Sequence, residues 1–530
     1  MVSQLVEQNQ IKRFYHVLLL ASFSICASFY FFRSNLGIQL GPIDDHEIVR
    51  FLGSDKQLWI WQIPSVLLTQ TEVGQYAEST RFRPAYYLLR LLETSAFGID
   101  STSWYFSRII MVALTCLFLT LGLLILLSIR NVFVDLFFGT WFTLTILGLS
   151  AWQGIIARLG PSEIYLVLGI SIFFYSATLL MKNPSSTKLW VLCCLSVLIA
   201  AGSKENGALF IAPFMLLGGY VSYSSAKKRK VLWLFFSTLT VALFFATGWI
   251  LGMRQAGANV YGDTITKQFL LDQLSQHLRN TSSSGIFMFS LLIVLIHIYV
   301  NILTKNELSR SFYFIFFSHI TISLVLLGEL VFYPRGFTEL RYAVVSQMLT
   351  QVSLGLSVVL IINTIRILRI SEKIFGLLAI SVFALIIVNS TYPNFITAKK
   401  GFETASKAAR GDGEWQKQLK LINQDLLSAP YDAVVIQVND SLHYEFVYAM
   451  SQFLEFYESR IPRYLNIIPK ENSSDALLNS LINTSLNGDS VWVIKPIALL
   501  DSDATVYCIT FFGAEKEVIL GAQEVILCDN

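Results

Sequence analysis

The stretch Gly41-Pro-Ile-Asp-Asp-His-Glu-Ile48 follows an apolar run over residues 14–32 and places two adjacent carboxylates shortly after its end. A carboxylate at such a position can act as a general base toward a hydroxyl, and its neighbour can raise its pKa toward the working range. Taken alone, Asp44-Asp45 is more typical of a solvated acidic loop, or of an N-cap at Asp44. The charged clusters found elsewhere in the chain reverse that preference and favour a catalytic pair, with Glu47 as a supporting residue.

The composition indicates an integral membrane protein. Of the 530 residues, 54% are hydrophobic and 14% are charged, and the mean hydropathy is +0.57. Soluble domains usually carry about 25% charged residues. No basic tract indicates nucleic-acid binding. The run over residues 14–32 has bilayer length rather than the length of a signal-peptide core, so we expect a retained first helix.

The apolar segments predict a polytopic α-helical membrane protein with about eleven spans, at roughly 20 residues per span. They lie at residues 14–32, 104–128, 132–150, 163–181, 189–202, 207–223, 231–252, 285–303, 311–332, 342–364 and 374–391. The pair at 189–202 and 207–223 is the weakest, because Ser203 to Gly207 interrupts it with polar residues that need a protein or water lining.

The loops between these segments differ in their content of Lys and Arg, which sets orientation in the membrane. The basic set carries Lys182 with Lys188, Lys227-Lys228-Arg229-Lys230, Lys305 with Arg310, and Arg366 with Arg369 and Lys373. The other set comprises residues 33–103, 151–162, the Ser203–Gly207 break, 253–284 and 333–341. Short basic loops are cytoplasmic, so we expect a multi-pass plasma (inner) membrane protein whose N-terminus is cytoplasmic.

An odd number of spans places the tail, residues 392–530, outside the cytoplasm as an α/β domain separate from the membrane domain, residues 1–391. The segments that follow Asp432, Ser490 and Thr505 are typical of buried strands, and 442–458 and 475–486 have helical period. A disulfide between Cys508 and Cys528 would close a short loop in an oxidising space, worth roughly 3 kcal/mol.

The segment Arg81-Phe-Arg-Pro-Ala-Tyr-Tyr-Leu-Leu-Arg90 predicts a helix that starts at Pro84. Ala85, Leu88, Leu89 and Leu92 form an apolar stripe, so the helix is expected to lie along the membrane surface. Arg83 at its start could hold a phosphate together with backbone N–H groups. Binding of lipid headgroups by the same arginine is an equally good interpretation.

Three further polar clusters are expected on the same outer face. Ser203-Lys-Glu-Asn206 puts charges at a depth where they are costly unless they serve a site, although a Lys204–Glu205 pair that only stabilises the bend is the alternative. Arg341-Tyr342 begins a helix after Arg335 and Glu339. Arg158-Leu-Gly-Pro-Ser-Glu163 forms a turn that is less specific and more often a simple connection.

These motifs together resemble the GT-C superfamily of integral membrane glycosyltransferases, which use lipid-phosphate sugars. The likeness is to the membrane part of the transmembrane and TPR-containing protein O-mannosyltransferases and their bacterial relatives. There, a paired acid, a Tyr-Arg-Pro segment and a Ser-Lys-Glu motif occur in this order. Here they appear as Asp44-Asp45, Phe82-Arg83-Pro84 and Ser203-Lys204-Glu205, over about residues 14–391. The chain departs from that family in having an α/β tail in place of TPR repeats.

The resemblance implies an inverting transfer of a hexose or pentose from a polyprenyl-phosphate donor to a glycan, lipid or protein acceptor of the envelope. It implies Asp44 as the base, with Asp45 orienting it or helping to hold a divalent cation if one takes part; no other cofactor is implied. The donor phosphate needs cations, for which Arg83, Lys204 and Arg341 with Tyr342 are the candidates. Arg158, Glu163 and Glu205 are supporting candidates.

Two other classes of protein remain as alternatives. A transporter or flippase of a lipid-linked glycan would also place charges inside a helix bundle, but typically near the midplane and between repeated halves, and no repeat is visible in the sequence. A non-catalytic envelope assembly protein would use the tail as its binding module. Replacing Asp44 with Asn separates the three, because only the enzyme loses transfer while keeping its fold and donor binding.

Overall fold

A computed structural model of the chain describes residues 2–41, 44–53, 55–74, 82–127, 131–225, 227–255, 281–305, 307–332, 340–368, 372–408, 414–428, 433–438, 444–457, 463–467 and 506–511. Its α-helices are α1 Val2–Phe32, α2 His46–Leu52, α3 Ile63–Thr69, α4 Pro84–Phe97, α5 Ser101–Leu127, α6 Val132–Leu147, α7 Trp152–Ile155, α8 Glu163–Lys182, α9 Thr187–Ser203, α10 Ile211–Ser224, α11 Lys228–Gln255, α12 Thr281–Leu303, α13 Arg310–Phe332, α14 Val344–Ile367, α15 Glu372–Ile386, α16 Tyr392–Ala408, α17 Glu414–Ser428 and α18 Tyr444–Phe456. Its strands are β1 Ala433–Val438, β2 Arg463–Ile467 and β3 Val506–Phe511.

Each apolar segment predicted from the sequence coincides with a helix, and the chain is a helical, multi-pass membrane protein. Within the described residues, five helical runs are long and apolar enough to cross a bilayer. They are Tyr15–Asn35, Ser101–Leu127, Glu163–Lys182, Leu340–Ile367 and Gly376–Lys407. Shorter apolar helices accompany them, including α6 and α9. The total of about eleven spans stays a prediction.

The centre of the bundle is formed by α5, α8 and α9, with α8 packed against both of the others. The buried face of α5 carries Val112, Cys116, Leu119 and Leu123, spaced three or four residues apart as one side of a helix requires. The approach of α8 to α9 depends on Gly169, because a Cβ there would lie 2.8 Å from the backbone nitrogen of Ala200. Close packing of these helices brings the end of α9 beside the start of α8.

The polar break predicted after the α9 segment is present. Helix α9 ends at Ser203, a 3-10 turn covers Glu205–Phe210, and α10 begins at Ile211. The turn is buried although it is polar, and Gly207 fits only because it has no side chain: a Cβ would lie 2.0 Å from the carbonyl oxygen of Ala200. The break therefore returns the chain into the bundle interior rather than exposing it.

Helix α4 begins where the sequence predicts, with Arg83 at the N-cap and Pro84 in the first turn. Its polar residues Tyr86, Arg90 and Glu93 are buried, whereas Leu88 and Leu92 are exposed. The helix therefore turns its polar face toward the bundle and its apolar stripe outward, which is the arrangement expected of a helix at a membrane surface.

In the tail, β1, β2 and β3 form a parallel sheet in the order β2-β1-β3, with Val434 opposite both Arg463 and Tyr507. The strands predicted after Asp432 and Thr505 are present as β1 and β3, and the predicted 442–458 helix is present as α18. The short strand β2 was missed by the sequence pattern. The strand predicted after Ser490, the 475–486 helix and the Cys508–Cys528 bridge lie outside the described residues.

The helices of the tail pack against the segment that leads into the acidic loop. Ser406 on α16 donates a hydrogen bond to Asn35 at 2.8 Å, and the Gln416 amide on α17 donates to the carbonyl oxygen of Leu40 at 2.7 Å. Helix α18 packs on α2, and the Lys56 ammonium lies 5.5 Å from the centre of the Phe456 ring. The acidic loop is thus held from the membrane part and from the tail.

Candidate active site at the Asp44 loop

Asp44 adopts a left-handed backbone conformation, with φ of 65°, two residues before α2 begins at His46. Few residues other than glycine adopt this conformation, and Asp and Asn do so more readily than most. Its carboxylate oxygen Oδ2 lies 3.5 Å from Arg158 Nη1 and 3.9 Å from Arg341 Nη1. Two guanidinium groups from distant parts of the chain therefore face one carboxylate.

Asp45 has a different environment from its neighbour. Its side chain is buried, and its two carboxylate oxygens accept hydrogen bonds from the backbone N–H groups of Gly41 and Leu159, at 2.8 and 2.9 Å. Asp45 occupies the N-cap position of α2 without a capping hydrogen bond, so the interpretation of Asp44 as the N-cap is wrong. The Asp45 carboxylate ties the acidic loop to the turn that begins at Arg158.

The turn from Arg158 to Glu163 is a central part of the site, although its sequence is more typical of a simple connection. A Cβ on Gly160 would lie 2.0 Å from the Cβ of Asp44, so the absence of a side chain at residue 160 makes room for the Asp44 side chain. The hydroxyl of Tyr86 lies 2.9 Å from the carbonyl oxygen of Gly160 and 3.1 Å from Glu47 Oε2. Burial raises the pKa of Tyr86 well above its ordinary value, and nearby Glu47 adds to this, so the hydroxyl keeps its proton and donates.

Arg90 also contacts this loop through its buried side chain. No role was assigned to Arg90 from the sequence. Its fully buried guanidinium donates to the carbonyl oxygens of Leu159 and Asp44, the latter at 3.1 Å, and lies 3.9 Å from Glu47. Arg90 thus joins three segments of the site. Glu47 stands beside Arg90 and Tyr86 rather than beside Asp44, which fits a supporting position.

Three further residues of this support were missed. Arg108 on α5 forms an ion pair with Glu93 at 3.1 Å and donates to the Tyr165 hydroxyl at 2.8 Å, and that hydroxyl also donates to Glu93. All are buried or nearly so. Arg108 itself could have indicated this cluster from the sequence, because a charged residue inside an apolar run is costly unless it has partners in the protein.

Lys204 and Glu163 form a buried ion pair between the end of α9 and the start of α8. The sequence alternative, a Lys204–Glu205 pair, is replaced by this contact. The Lys204 ammonium lies 4.3 Å from the centre of the Tyr342 ring, and Arg341 lies 4.9 Å from the same ring while donating to its hydroxyl at 3.0 Å. Lys204 and Arg341 are therefore neighbours across Tyr342.

Arg83 lies on the side of Tyr86 where α4 begins. Its guanidinium makes two hydrogen bonds to Glu72, at 2.7 and 3.0 Å, and lies 5.1 Å from the centre of the Tyr86 ring. Burial alone would lower the pKa of Arg83, but Glu72, Tyr87 and Glu205 together outweigh it and raise the pKa well above its ordinary value. Arg83 is thus a permanent cation held by Glu72, while Lys204 and Arg341 share Tyr342.

Glu205 and Asn206 follow Lys204 in the buried turn. The amide of Asn206 donates to Glu329 Oε1 on α13 at 2.7 Å, and Glu205 is buried near Arg83 and Lys204. Arg81, Arg335 and Glu339, which the sequence places in the same region, lie outside the described residues.

The two acids of the loop, Asp44 and Asp45, are engaged by groups other than a metal ion. Among the described parts of the chain there is no group of three or more His, Cys, Asp or Glu residues close enough to hold a metal ion. The Asp45 oxygens already accept backbone N–H groups, and Asp44 faces two guanidinium groups that would repel a metal ion. The arrangement suits an anion held by arginines beside a carboxylate that accepts a proton.

Comparison with known proteins gives one kind of similarity. No family model and no curated protein matches the sequence. Among solved structures, ArnT from Cupriavidus metallidurans bound to undecaprenyl phosphate is similar, with 11% identity, 93% of each chain covered and a TM-score of 0.47. The apo state of the same protein gives 12% identity, coverage of 93% of this chain and 92% of that chain, and a TM-score of 0.46. At this identity and TM-score the similarity does not assign a function.

Proposed function

We propose that the chain is a GT-C glycosyltransferase that moves a sugar from a polyprenyl-phosphate donor to an acceptor hydroxyl on the extracytoplasmic face of the inner membrane. The observation that carries the proposal is the position of Asp44, whose carboxylate faces the guanidinium groups of Arg158 and Arg341. Transfer from a lipid-phosphate sugar needs one base for the acceptor and cations for the leaving phosphate. Both are present within one small region.

In the proposed reaction the acceptor oxygen attacks the anomeric carbon as Asp44 takes the hydroxyl proton. The new bond joins the acceptor oxygen to that carbon. The bond from the anomeric carbon to the phosphate oxygen breaks, and its electron pair leaves on polyprenyl phosphate. Because the displacement occurs once and directly, the configuration at the anomeric carbon is inverted. The phosphate is stable as an anion, so the leaving group needs cations more than it needs an acid.

We assign the departing phosphate to Arg341, and its contacts with Asp44 and Tyr342 support this assignment. Its distance of 3.9 Å from Asp44 is longer than a tight hydrogen-bonded pair, so a phosphate could take over its charge and leave the carboxylate more basic. Arg158 faces the same carboxylate and takes the same part. Lys204 adds positive charge near Arg341, because both side chains contact the ring of Tyr342.

Arg83 requires a separate step in this scheme. Its two hydrogen bonds to Glu72 must be shared or exchanged for it to bind the phosphate. We therefore assign it the part of the phosphate more distant from Asp44, or the headgroup region of the bilayer, with Glu72 as the group that holds it in place. The Arg341 side of the site is assigned the phosphate oxygens produced in the transfer.

Asp45 acts as a positioning residue in this proposal. Its two backbone hydrogen bonds fix the loop and the turn opposite it, and the neighbouring residue then projects toward the cations. The Asp44 carboxylate takes no backbone hydrogen bond from those two N–H groups, and its side chain is 30% exposed, so an acceptor hydroxyl can reach it. Proton transfer is thus assigned to Asp44 alone.

The test is Asp44→Asn in the full chain, reconstituted with polyprenyl-phosphate-linked sugars. Asn tolerates the left-handed backbone as Asp does but cannot accept the proton. We expect transfer to fall by about 10²–10⁴-fold with donor binding and thermal stability retained. The control is Asp55→Asn, which changes an exposed acid of the same outer loop and should transfer normally.

Two outcomes would contradict the proposal. Transfer at the normal rate by Asp44→Asn would exclude the loop as the catalytic centre. Loss of lipid translocation, with no transfer activity in the unmodified chain, would favour the flippase alternative. Mass analysis of envelope glycans from a strain that lacks the gene identifies the acceptor and the sugar. Assays with polyprenyl-phosphate-linked sugars alone do not identify both.

A further inference from the structure

A second buried polar pair, Glu329 and Asn206, lies near the Lys204–Glu163 ion pair and takes no part in the reaction proposed above. Glu329 on α13 and Asn206 in the 3-10 turn are 1% and 2% exposed. They are joined by the hydrogen bond of 2.7 Å from the Asn206 amide nitrogen to Glu329 Oε1. A carboxylate in the interior of a helix bundle is costly and commonly marks a functional site.

The pair leaves polar atoms unsatisfied. Among the described residues, neither Glu329 Oε2 nor Asn206 Oδ1 has a hydrogen-bond partner, and Glu205 Oε1, in the same turn, is also buried without one. The amide nitrogen of Asn206, rather than its oxygen, faces Glu329, which is the orientation that an ionised Glu329 requires. Buried polar atoms in proteins are normally satisfied, so these exceptions require an explanation.

All three of these open atoms are acceptors, which restricts the ligand. A phosphate or carboxylate would be repelled, and an apolar group would leave the oxygens unsatisfied. A polyhydroxylated group matches, because each hydroxyl can donate one hydrogen bond. The required ligand is therefore rich in hydrogen-bond donors.

The position of the pair connects it to the proposed reaction. Asn206 follows Lys204 by two residues, and Lys204 neighbours Arg341 across the ring of Tyr342. A donor phosphate held by Arg341 is bonded directly to its sugar, so the sugar must lie beside these groups. A donor-rich part of the substrate at this position would satisfy the open acceptors.

We propose that Glu329 and Asn206 form the subsite that recognises the donor sugar, with Glu329 Oε2 and Asn206 Oδ1 accepting hydrogen bonds from its hydroxyl groups. This proposal rests on the proposed glycosyltransferase function and adds to it the residues that select the sugar. The two residues contact the substrate without taking part in bond making. A site built in this way rejects a sugar that lacks the matching hydroxyl, because its buried acceptors are then left unpaired.

The experiment measures binding by the full chain in lipid nanodiscs of three probes: bare polyprenyl phosphate, polyprenyl phosphate carrying a hexose or a pentose, and the deoxy analogues of those sugars. We expect the unmodified chain to bind at least one glycosylated probe more tightly than the bare lipid. Glu329→Gln and Asn206→Leu should each reduce that preference by about 10- to 100-fold. Affinity for bare polyprenyl phosphate should stay unchanged.

Two further variants keep the result interpretable. Glu329→Asp retains the charge and withdraws it by one methylene, so it tests recognition if Glu329→Gln fails to fold. Glu307→Gln changes an exposed acid next to α13 and should leave every affinity unchanged. The deoxy sugar whose missing hydroxyl faces the pair should bind the unmodified chain and Glu329→Asp about equally.

The outcomes separate this inference from the function on which it rests. If the unmodified chain binds no polyprenyl phosphate, the proposed function fails. If it binds the lipid and prefers a sugar, but the Glu329 and Asn206 variants keep the full preference, the subsite is wrong while the function stands. Stabilisation of the unmodified chain by Mg²⁺ or Ca²⁺ that disappears in Glu329→Gln would assign the pair to a cation and would also overturn the subsite.

Discussion

Gly160 lies against Asp44 so closely that a Cβ on Gly160 would be 2.0 Å from the Cβ of Asp44 and 2.5 Å from its carboxyl carbon. Non-bonded carbon atoms do not approach this closely. Any side chain at residue 160 must therefore displace the Asp44 side chain or its left-handed loop. The position of the proposed base is therefore set by the absence of a side chain on a turn that is far away in the sequence.

Gly160→Ala is expected to lower sugar transfer by at least 10²-fold, because a catalytic group moved by about 1 Å can lose that much. Donor binding should fall less, since the variant leaves Lys204 and Tyr342 unchanged. Transfer kinetics with a saturating donor check this. Gly219→Ala is the matched control, because a Cβ at residue 219 on α10 meets nothing within 4 Å. Full activity of Gly160→Ala would show that the loop adapts and that its geometry is not critical.

Asp45→Asn is expected to destabilise the protein and not only to slow it. Asn offers one acceptor oxygen for two backbone N–H donors and sets its own amide hydrogens against one of them. A buried donor left unsatisfied costs about 1–3 kcal/mol. The apparent melting temperature in detergent should fall for Asp45→Asn and stay near normal for Asp44→Asn. If Asp44→Asn lowered the melting temperature more than Asp45→Asn, Asp44 would be the structural acid and Asp45 the catalytic one.

The buried Lys204–Glu163 pair predicts a strongly non-additive pair of substitutions. Lys204→Met or Glu163→Gln alone leaves one charge buried without its partner, which costs about 3–5 kcal/mol. The double variant removes both charges and should be more stable than either single variant, yet it should not transfer sugar, because the cation behind Tyr342 is gone. Unfolding and transfer measurements on all four chains check this, with Lys420→Met as a control at an exposed helix position. Additive losses would mean that the pair is not coupled.

The loop charges predict that the tail lies outside the cytoplasm. A reporter that is active only in the cytoplasm should be silent when fused after Asn530, and active when fused after Lys230, in the basic segment where α11 begins. The second fusion shows that the reporter functions in this chain. Activity after Asn530 with silence after Lys230 would reverse the orientation and place the Asp44 loop on the cytoplasmic side, where the proposed acceptor is absent. Activity at both positions would make the number of spans even and put the tail in the cytoplasm.

The helices were predictable because bilayer crossing imposes length and apolarity on each segment independently of its neighbours. The start of α4 was predictable for a similar reason, since Pro84 suits a first helical turn whatever surrounds it. Convergence of Asp44, Arg158, Lys204 and Arg341 was predictable in outline, because loops on one face of a membrane share a narrow layer. The tail strand β2 was too short and too polar to stand out.

The finer geometry was not predictable, because it depends on contacts between distant segments. The Asp45 carboxylate is held by two backbone N–H groups that do not meet Asp44, and one of them belongs to the distant Leu159. No local pattern marks Arg158 to Glu163 as anything more than a connection. Likewise, nothing in the sequence near Arg83 indicates that Glu72 would hold it. Such partners are set by the packing of the whole bundle.

The contacts between the tail and the acidic loop bear on how this protein can be recombined with its relatives. Gln416 donates to Leu40, Gly41 next to it donates to Asp45, and Asp45 adjoins the proposed base. A chimaera that exchanges only the tail would place a foreign helix against Leu40 and disturb this chain of contacts. Exchange of residues 35–58 together with the tail keeps the contact between Gln416 and Leu40, but the new loop must still fit Leu159 and Gly160, which meet Asp45 and Asp44. A tail from another protein therefore has to match the loop around Leu40, and not only the end of the last membrane helix.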